Sequence, residues 1–144
     1  MPYSISPVSI FLPMLVIIAL TFVAFVRMAA GRGKAVKGGH DPAYYRAQIG
    51  TPEPEATVVG VRHWGNLFEL PIIFYAACLT AYVLDAVNSW VLGFAWAYVV
   101  ARLVQSAVHI TYNNPAHRGM AFVLGVLCML AMWITLAAAI FNRL

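Results

Sequence analysis

Four runs of mostly apolar residues, each near twenty residues long, divide the chain: 8–26, 61–84, 90–112 and 120–141. A helix needs about 20 apolar residues to cross the hydrocarbon of a bilayer. The pattern therefore predicts an all-α integral membrane protein, a single four-transmembrane-helix bundle over residues 1–144 with a polar first loop over 27–60. The fourth run is the cleanest, with no charge between Arg118 and Arg143. The first lacks the charged leader and small-residue cleavage site of a signal peptide, so it reads as a retained helix. Pro7 suits its first turn, and Pro13 sits inside it at a place where membrane helices tolerate a kink.

The loops supply the orientation. Arg27, Arg32, Lys34, Lys37 and Arg46 fall in the first loop and Arg118 in the third, against Arg143 alone on the opposite side. The positive-inside rule then makes loops one and three cytoplasmic and puts both termini on the non-cytoplasmic side. Composition agrees with the membrane reading: 62% of the residues are hydrophobic and 10% charged. The net charge of +4 comes largely from the segment Gly31 to Gly39, beside the membrane surface. Its cations act as a topology signal and attract anionic headgroups, so lipids are the expected partner and nucleic acid is not. The rest of the loop holds Pro42, Pro52 and Pro54, with room for a short helix over 43–48.

Polar residues inside the apolar runs carry the chemistry. Arg62, Asn66 and Glu69 are offset by four and seven, which puts them on one stripe of the second helix. Arg102, Gln105 and His109 form a similar stripe on the third, which Tyr112 extends toward the cytoplasmic end. Ionisable groups at membrane depth are costly and mark functional sites or structural pairs. Counting about 1.5 Å per residue puts Glu69 roughly 10 Å below Arg62, and Arg102 about 15 Å below Tyr112. Those depths are compatible, so an ion pair between Arg102 and Glu69 is expected, within one subunit or across two. Arg62 lies near the boundary, where it would face a cavity open to the cytoplasm or snorkel to headgroups. Arginines fork onto carboxylates, Glu69 suits an ammonium, and Asn66 both donates and accepts. Together they fit a small zwitterionic ligand with several carboxylates, with a lipophilic small-molecule substrate entering sideways from the lipid.

Other chemistry is poorly served. Cys78 and Cys128 lie in apolar spans, where a thiol is a weak nucleophile, and they imply no disulfide framework. His40, His63, His109 and His117 have no metal-motif spacing, so no metal is expected. His63 and His109 could ligate a haem iron between neighbouring helices, a minor reading. Small residues at Ala77 and Ala81, and at Ala121 and Gly125, have the spacing that lets helices approach closely and would support subunit association.

The motif Arg62-x3-Asn66-x2-Glu69 with Pro71, the four spans, the polar first loop and the segment from Ala101 to Arg118 together resemble the MAPEG family, membrane-associated proteins of eicosanoid and glutathione metabolism. The resemblance covers nearly the whole chain. It implies a homotrimer of four-helix bundles, with glutathione as co-substrate bound between subunits toward the cytoplasmic face. The resemblance would give binding roles to Arg62, Asn66, Glu69 and Tyr112, and the polar stripe of the third helix adds Arg102 and His109 as ligand-binding candidates. Arg118, at the start of the fourth helix, would be the catalytic residue that stabilises the glutathione thiolate. The chain has Glu69-Leu70-Pro71 where the family's enzymes often have Glu-Tyr-x-Pro, and Gln105 and His109 where eicosanoid enzymes carry aromatics. These departures point to a bacterial-type member in a bacterial inner membrane. Two functions follow. One is a glutathione-dependent transferase or peroxidase acting on lipophilic electrophiles or hydroperoxides. The alternative is a non-enzymatic trimeric scaffold or accessory subunit whose polar stripes are structural ion pairs.

Overall fold

The computed structural model describes residues 5–143, and among these every regular element is helical. A 3-10 turn, Pro7–Ile10, leads into α1, Phe11–Lys37. A single turn, α2 (Tyr44–Ala47), interrupts the first loop. The second span is two helices, α3 (Glu55–Asn66) and α4 (Leu70–Val83). The third and fourth are α5 (Ser89–Ile110) and α6 (Pro115–Phe141). Four of these segments are long and apolar enough to cross a membrane.

Helix runs further than the apolar pattern. α1 continues eleven residues beyond residue 26, because Arg27 to Lys37 is built from Ala, Lys, Arg, Met and Val, with glycines the only weak formers, and no proline. It stops at Gly38, whose N–H bonds back to the Lys34 carbonyl, and Gly39 follows at φ 98°. α3 starts at Glu55 behind Pro54, so about half of the interval 27–60 belongs to two helical extensions, joined by the linker 38–54. That linker is fastened to α1 by Arg32, whose Nε lies 3.0 Å from Glu53 Oε1 and whose guanidinium stacks 5.0 Å from the Tyr45 ring centre. Burial and the nearby Glu53 carboxylate hold the Tyr45 phenol above its ordinary pKa, so it stays neutral.

Asparagines begin the last two helices. Asn88 Oδ1 accepts from the Trp90 and Val91 amides, each at 3.0 Å. Asn114 Oδ1 accepts from Ala116 and His117, with Pro115 as the first helical residue. The short turn between Ile110 and Pro115 folds α6 back along α5. The two come close at Gly125, where an added Cβ would lie 3.7 Å from both Ala101 and Tyr98. α1 and α3 approach backbone to backbone at Gly60, where an added Cβ would be 3.6 Å from the Met28 Cα.

The apolar core joins Ile10 and Ile17 of the first span to Phe74, Ala77 and Ala81 of α4, Tyr98 of α5 and Met132 of α6. Phe74 stacks on Tyr98 with ring centres 4.4 Å apart. Ala77, Ala81, Ala121 and Gly125 are buried within the single chain. Their small size therefore serves packing inside the subunit, which corrects the expectation that they lie between subunits. The outer surface of the spans is apolar, with Phe22, Val23, Leu124, Leu127 and Ile134 exposed, while Arg102, Gln105, Ser106, His63 and His109 are buried. Polar inside and apolar outside is the distribution that lipid as solvent demands.

Candidate functional site

The break in the second span organises the site. Pro71 has no N–H to donate and its ring clashes with the carbonyl four residues back, so one continuous helix through 67–70 is disfavoured. The chain instead tightens at the end of α3, with Leu67 N–H bonded to Trp64 O at 3.0 Å and Phe68 N–H to Gly65 O at 2.9 Å. It restarts at Leu70, where a proline in the first turn is tolerated. The end of a helix leaves carbonyls without intrahelical partners. At Asn66 that carbonyl accepts from Arg102 Nη2 at 2.8 Å.

Arg102 is 1% exposed and is held by neutral amides. Besides the Asn66 carbonyl, it donates to Gln105 Oε1 and lies 3.4 Å from Asn66 Oδ1 through both terminal nitrogens. Gln105 Nε2 also donates to Asn66 Oδ1 at 3.4 Å. Within the chain Arg102 and Glu69 do not pair: the one ion pair among the described residues is Arg32–Glu53. The reason is the helix break, which continuous helical spacing did not include. Glu69 falls in the turn, at φ −84° and ψ −83°, and is exposed. The negative end of the α3 dipole and the freed carbonyl take the guanidinium instead.

Above this buried network is an open cavity of about 280 Å³, lined by Arg62, Gly65, Asn66 and Glu69 of the second span, His109 of α5 and Arg118 of α6. Five of the seven residues singled out from the sequence thus converge on one space. Arg118 reaches it from the first turn of α6 and is held from two sides. Its Nη1 donates to Asn113 Oδ1 at 2.8 Å and lies 3.4 Å from His109 Nε2. A guanidinium only donates, so Nε2 is the acceptor there and the imidazole proton sits on Nδ1. The His109 ring packs on that of His63, with centres 5.1 Å apart, and both rings are buried. His63 Nε2 and His109 Nδ1 have no hydrogen-bond partner. Among the described residues no group of three or more His, Cys, Asp or Glu is placed to hold a metal.

The other two residues lie elsewhere. Arg102 is behind Asn66 and does not line the cavity. Tyr112 is 61% exposed, and its hydroxyl pairs with His117 Nδ1 at 3.0 Å on a separate apolar groove between α5 and α6. Helical spacing failed for Tyr112 because α5 ends at Ile110. The turn beyond it directs the side chain toward α6.

The sequence profile of the MAPEG family matches residues 10–138, nearly the whole chain. The chain belongs to the MAPEG family. No curated protein and no solved structure matches the chain. Membership makes this an integral membrane protein of that family, in keeping with its four spans. Two features of this MAPEG protein escaped the sequence reading. Gly65 lines the cavity, three residues beyond Arg62 on the same face. Asn113 positions Arg118 from the left-handed region, at φ 46°, with its own N–H bonded to Val108 O at 2.8 Å. A signal for Asn113 was present: an asparagine at the end of a helix is a common left-handed residue.

Proposed function

We propose that this MAPEG protein binds glutathione in the cavity between α3, α5 and α6 and uses it as a nucleophile against lipophilic substrates. The observation that carries the reading is the convergence of Arg62, Asn66, Glu69, His109 and Arg118 on one cavity. Arg62 supplies a fork for a glutathione carboxylate, and Glu69 an acceptor for its ammonium. Asn66 contacts the peptide and is kept in place by Arg102 and Gln105, which gives Arg102 a positioning role. Arg118 faces the sulfur. A fixed guanidinium at the start of a helix favours the thiolate through its own charge and through the helix dipole.

In the transferase reaction the thiol loses its proton and the thiolate attacks an electrophilic carbon. A carbon–sulfur bond forms as the leaving group departs with the bonding pair. With a hydroperoxide, the thiolate attacks the terminal oxygen and expels the alcohol. The resulting sulfenic acid condenses with a second glutathione to give the disulfide and water. The cavity is small for a ligand site and open at the surface of a single chain, since useful pockets enclose about 300–1,000 Å³. In the proposed homotrimer a neighbouring subunit closes the cavity. The loop charges support an orientation with the cavity toward the cytoplasm and both termini opposite, in what we propose is a bacterial inner membrane.

Titration calorimetry of the detergent-purified protein tests this, together with turnover of an aryl halide. Glutathione should bind, Arg62→Ala should weaken binding by about tenfold, and Arg118→Ala should lower turnover by about 100-fold while leaving binding within a few fold. Absence of binding at millimolar glutathione would instead favour the scaffold.

A further inference from the structure

We infer that the cleft between the end of α1 and the start of α3 is a binding site for the phosphate of an anionic phospholipid. The inference is independent of the glutathione reading, because the cleft shares no residue with that cavity. Its volume is about 810 Å³, and the cations Arg27 and Lys34, with His40, line it. Arg27 and Lys34 are seven residues apart on one helix, which puts them on the same face about 10 Å apart. Gly31 lies between them on that face and leaves the floor of the cleft without a side chain. Ala56 and Thr57, in the first turn of α3, form the opposite wall.

No carboxylate lines the cleft. Among the described residues neither Arg27 nor Lys34 has a carboxylate partner. Glu53, which comes between lining residues Pro52 and Pro54, is committed to Arg32 and does not line the cleft. Asp41 Oδ1 is occupied by the Ala43 amide at 2.9 Å. Glu55, in the first turn of α3, offsets the positive end of that helix's dipole but does not line the cleft, so the field inside it is set by Arg27 and Lys34.

Depth selects the occupant. Phe22, Val23, Phe25 and Val26 are exposed on α1 immediately before Arg27, so the cleft opens where the lipid-facing surface ends. That is headgroup level, where a lipid phosphate is the most abundant anion. A topology signal needs positive charge in this loop, but it does not need a cleft lined by two cations and no carboxylate.

Native mass spectrometry of the purified full chain, with phosphatidylglycerol or phosphatidylcholine added at equal concentration, tests the assignment. The wild-type protein should retain phosphatidylglycerol preferentially, and Arg27→Gln/Lys34→Gln should reduce that retention about 30-fold. The charge-matched pair Lys37→Gln/Arg46→Gln, outside the cleft, should leave it within about twofold. Gly31→Leu, which keeps both cations and fills the floor, should lower it about tenfold. Equal losses in the two charge-matched pairs, or full retention by Gly31→Leu, would show attraction to diffuse charge and overturn the site. Millimolar inorganic phosphate should leave phosphatidylglycerol bound. Displacement by phosphate that disappears in Arg27→Gln/Lys34→Gln would reassign the cleft to a soluble phosphate ester and overturn the lipid.

Discussion

Arg102 is a cation at membrane depth with neutral amides where a carboxylate was expected. Its donors satisfy the Asn66 carbonyl, the Asn66 side chain and Gln105, so removing it orphans several buried acceptors at once. Each unsatisfied buried acceptor costs about 1–3 kcal/mol. Arg102→Leu should therefore destabilise the fold by at least about 2 kcal/mol, read as a lower unfolding midpoint in a mild detergent. An unchanged midpoint would mean that water replaces the guanidinium. In the proposed reaction Asn113 would act through Arg118. Its side chain orients Arg118 through one bond to a charged group, a bond of about 1.5–3 kcal/mol. Asn113→Ala should lower kcat about tenfold with KM little changed, and Asn113→Asp, which keeps the acceptor, should restore most of the loss. A fall in KM-dependent binding alone would place Asn113 in ligand contact instead. Residue types were legible at this scale, since a period of 3.6 put Arg62, Asn66 and Glu69 on one stripe. Partners were less so: the contacts of Arg102 depend on a freed carbonyl, which no side-chain pattern reveals.

The second span illustrates how an element can be read correctly for type and wrongly for continuity. Its apolar content predicted a helix across 61–84, and both α3 and α4 are helical. Pro71 was noticed as part of a motif, yet its effect on the four residues before it decides where Glu69 points. Replacing it tests that account. With Pro71→Ala a continuous helix becomes possible, the Leu70 amide can compete for the Asn66 carbonyl, and Arg102 loses its best acceptor. Glutathione binding should weaken about tenfold although an isolated helix gains stability from the same change. Binding as strong as wild type would show that the break is not needed to arrange the cavity. The first loop was misjudged for a related reason: polar sequence was equated with loop, whereas Arg27 to Lys37 is polar and helix-forming at once. Helix length there follows backbone propensity, and the bilayer limits only its apolar part.

At the scale of the molecule, family, membrane class and span number were all legible, because the bilayer imposes strong rules on composition and length. Assembly is a different matter, since a pattern of small residues fits packing within a subunit as well as between subunits. Ala77 and Ala81 turned out to be the former. The proposed trimer makes its own prediction. Sedimentation or light scattering of the protein–detergent particle, corrected for bound detergent, should give three copies of the 15.8 kDa chain. Glutathione binding should be lost together with the trimer on dilution into harsh detergent. Binding by a monomer would show that one chain suffices.

In the proposed reaction Arg118 turns bound glutathione into a thiolate. Ultraviolet difference absorbance of the protein–glutathione complex near neutral pH measures that species directly. A thiol of pKa about 8.5 is mostly protonated there unless its site lowers the value. The account predicts a thiolate band in the wild-type complex, lost when pH falls through the depressed pKa and absent from Arg118→Ala at saturating glutathione. An equal band in Arg118→Ala, or saturated wild-type protein with none, would contradict it.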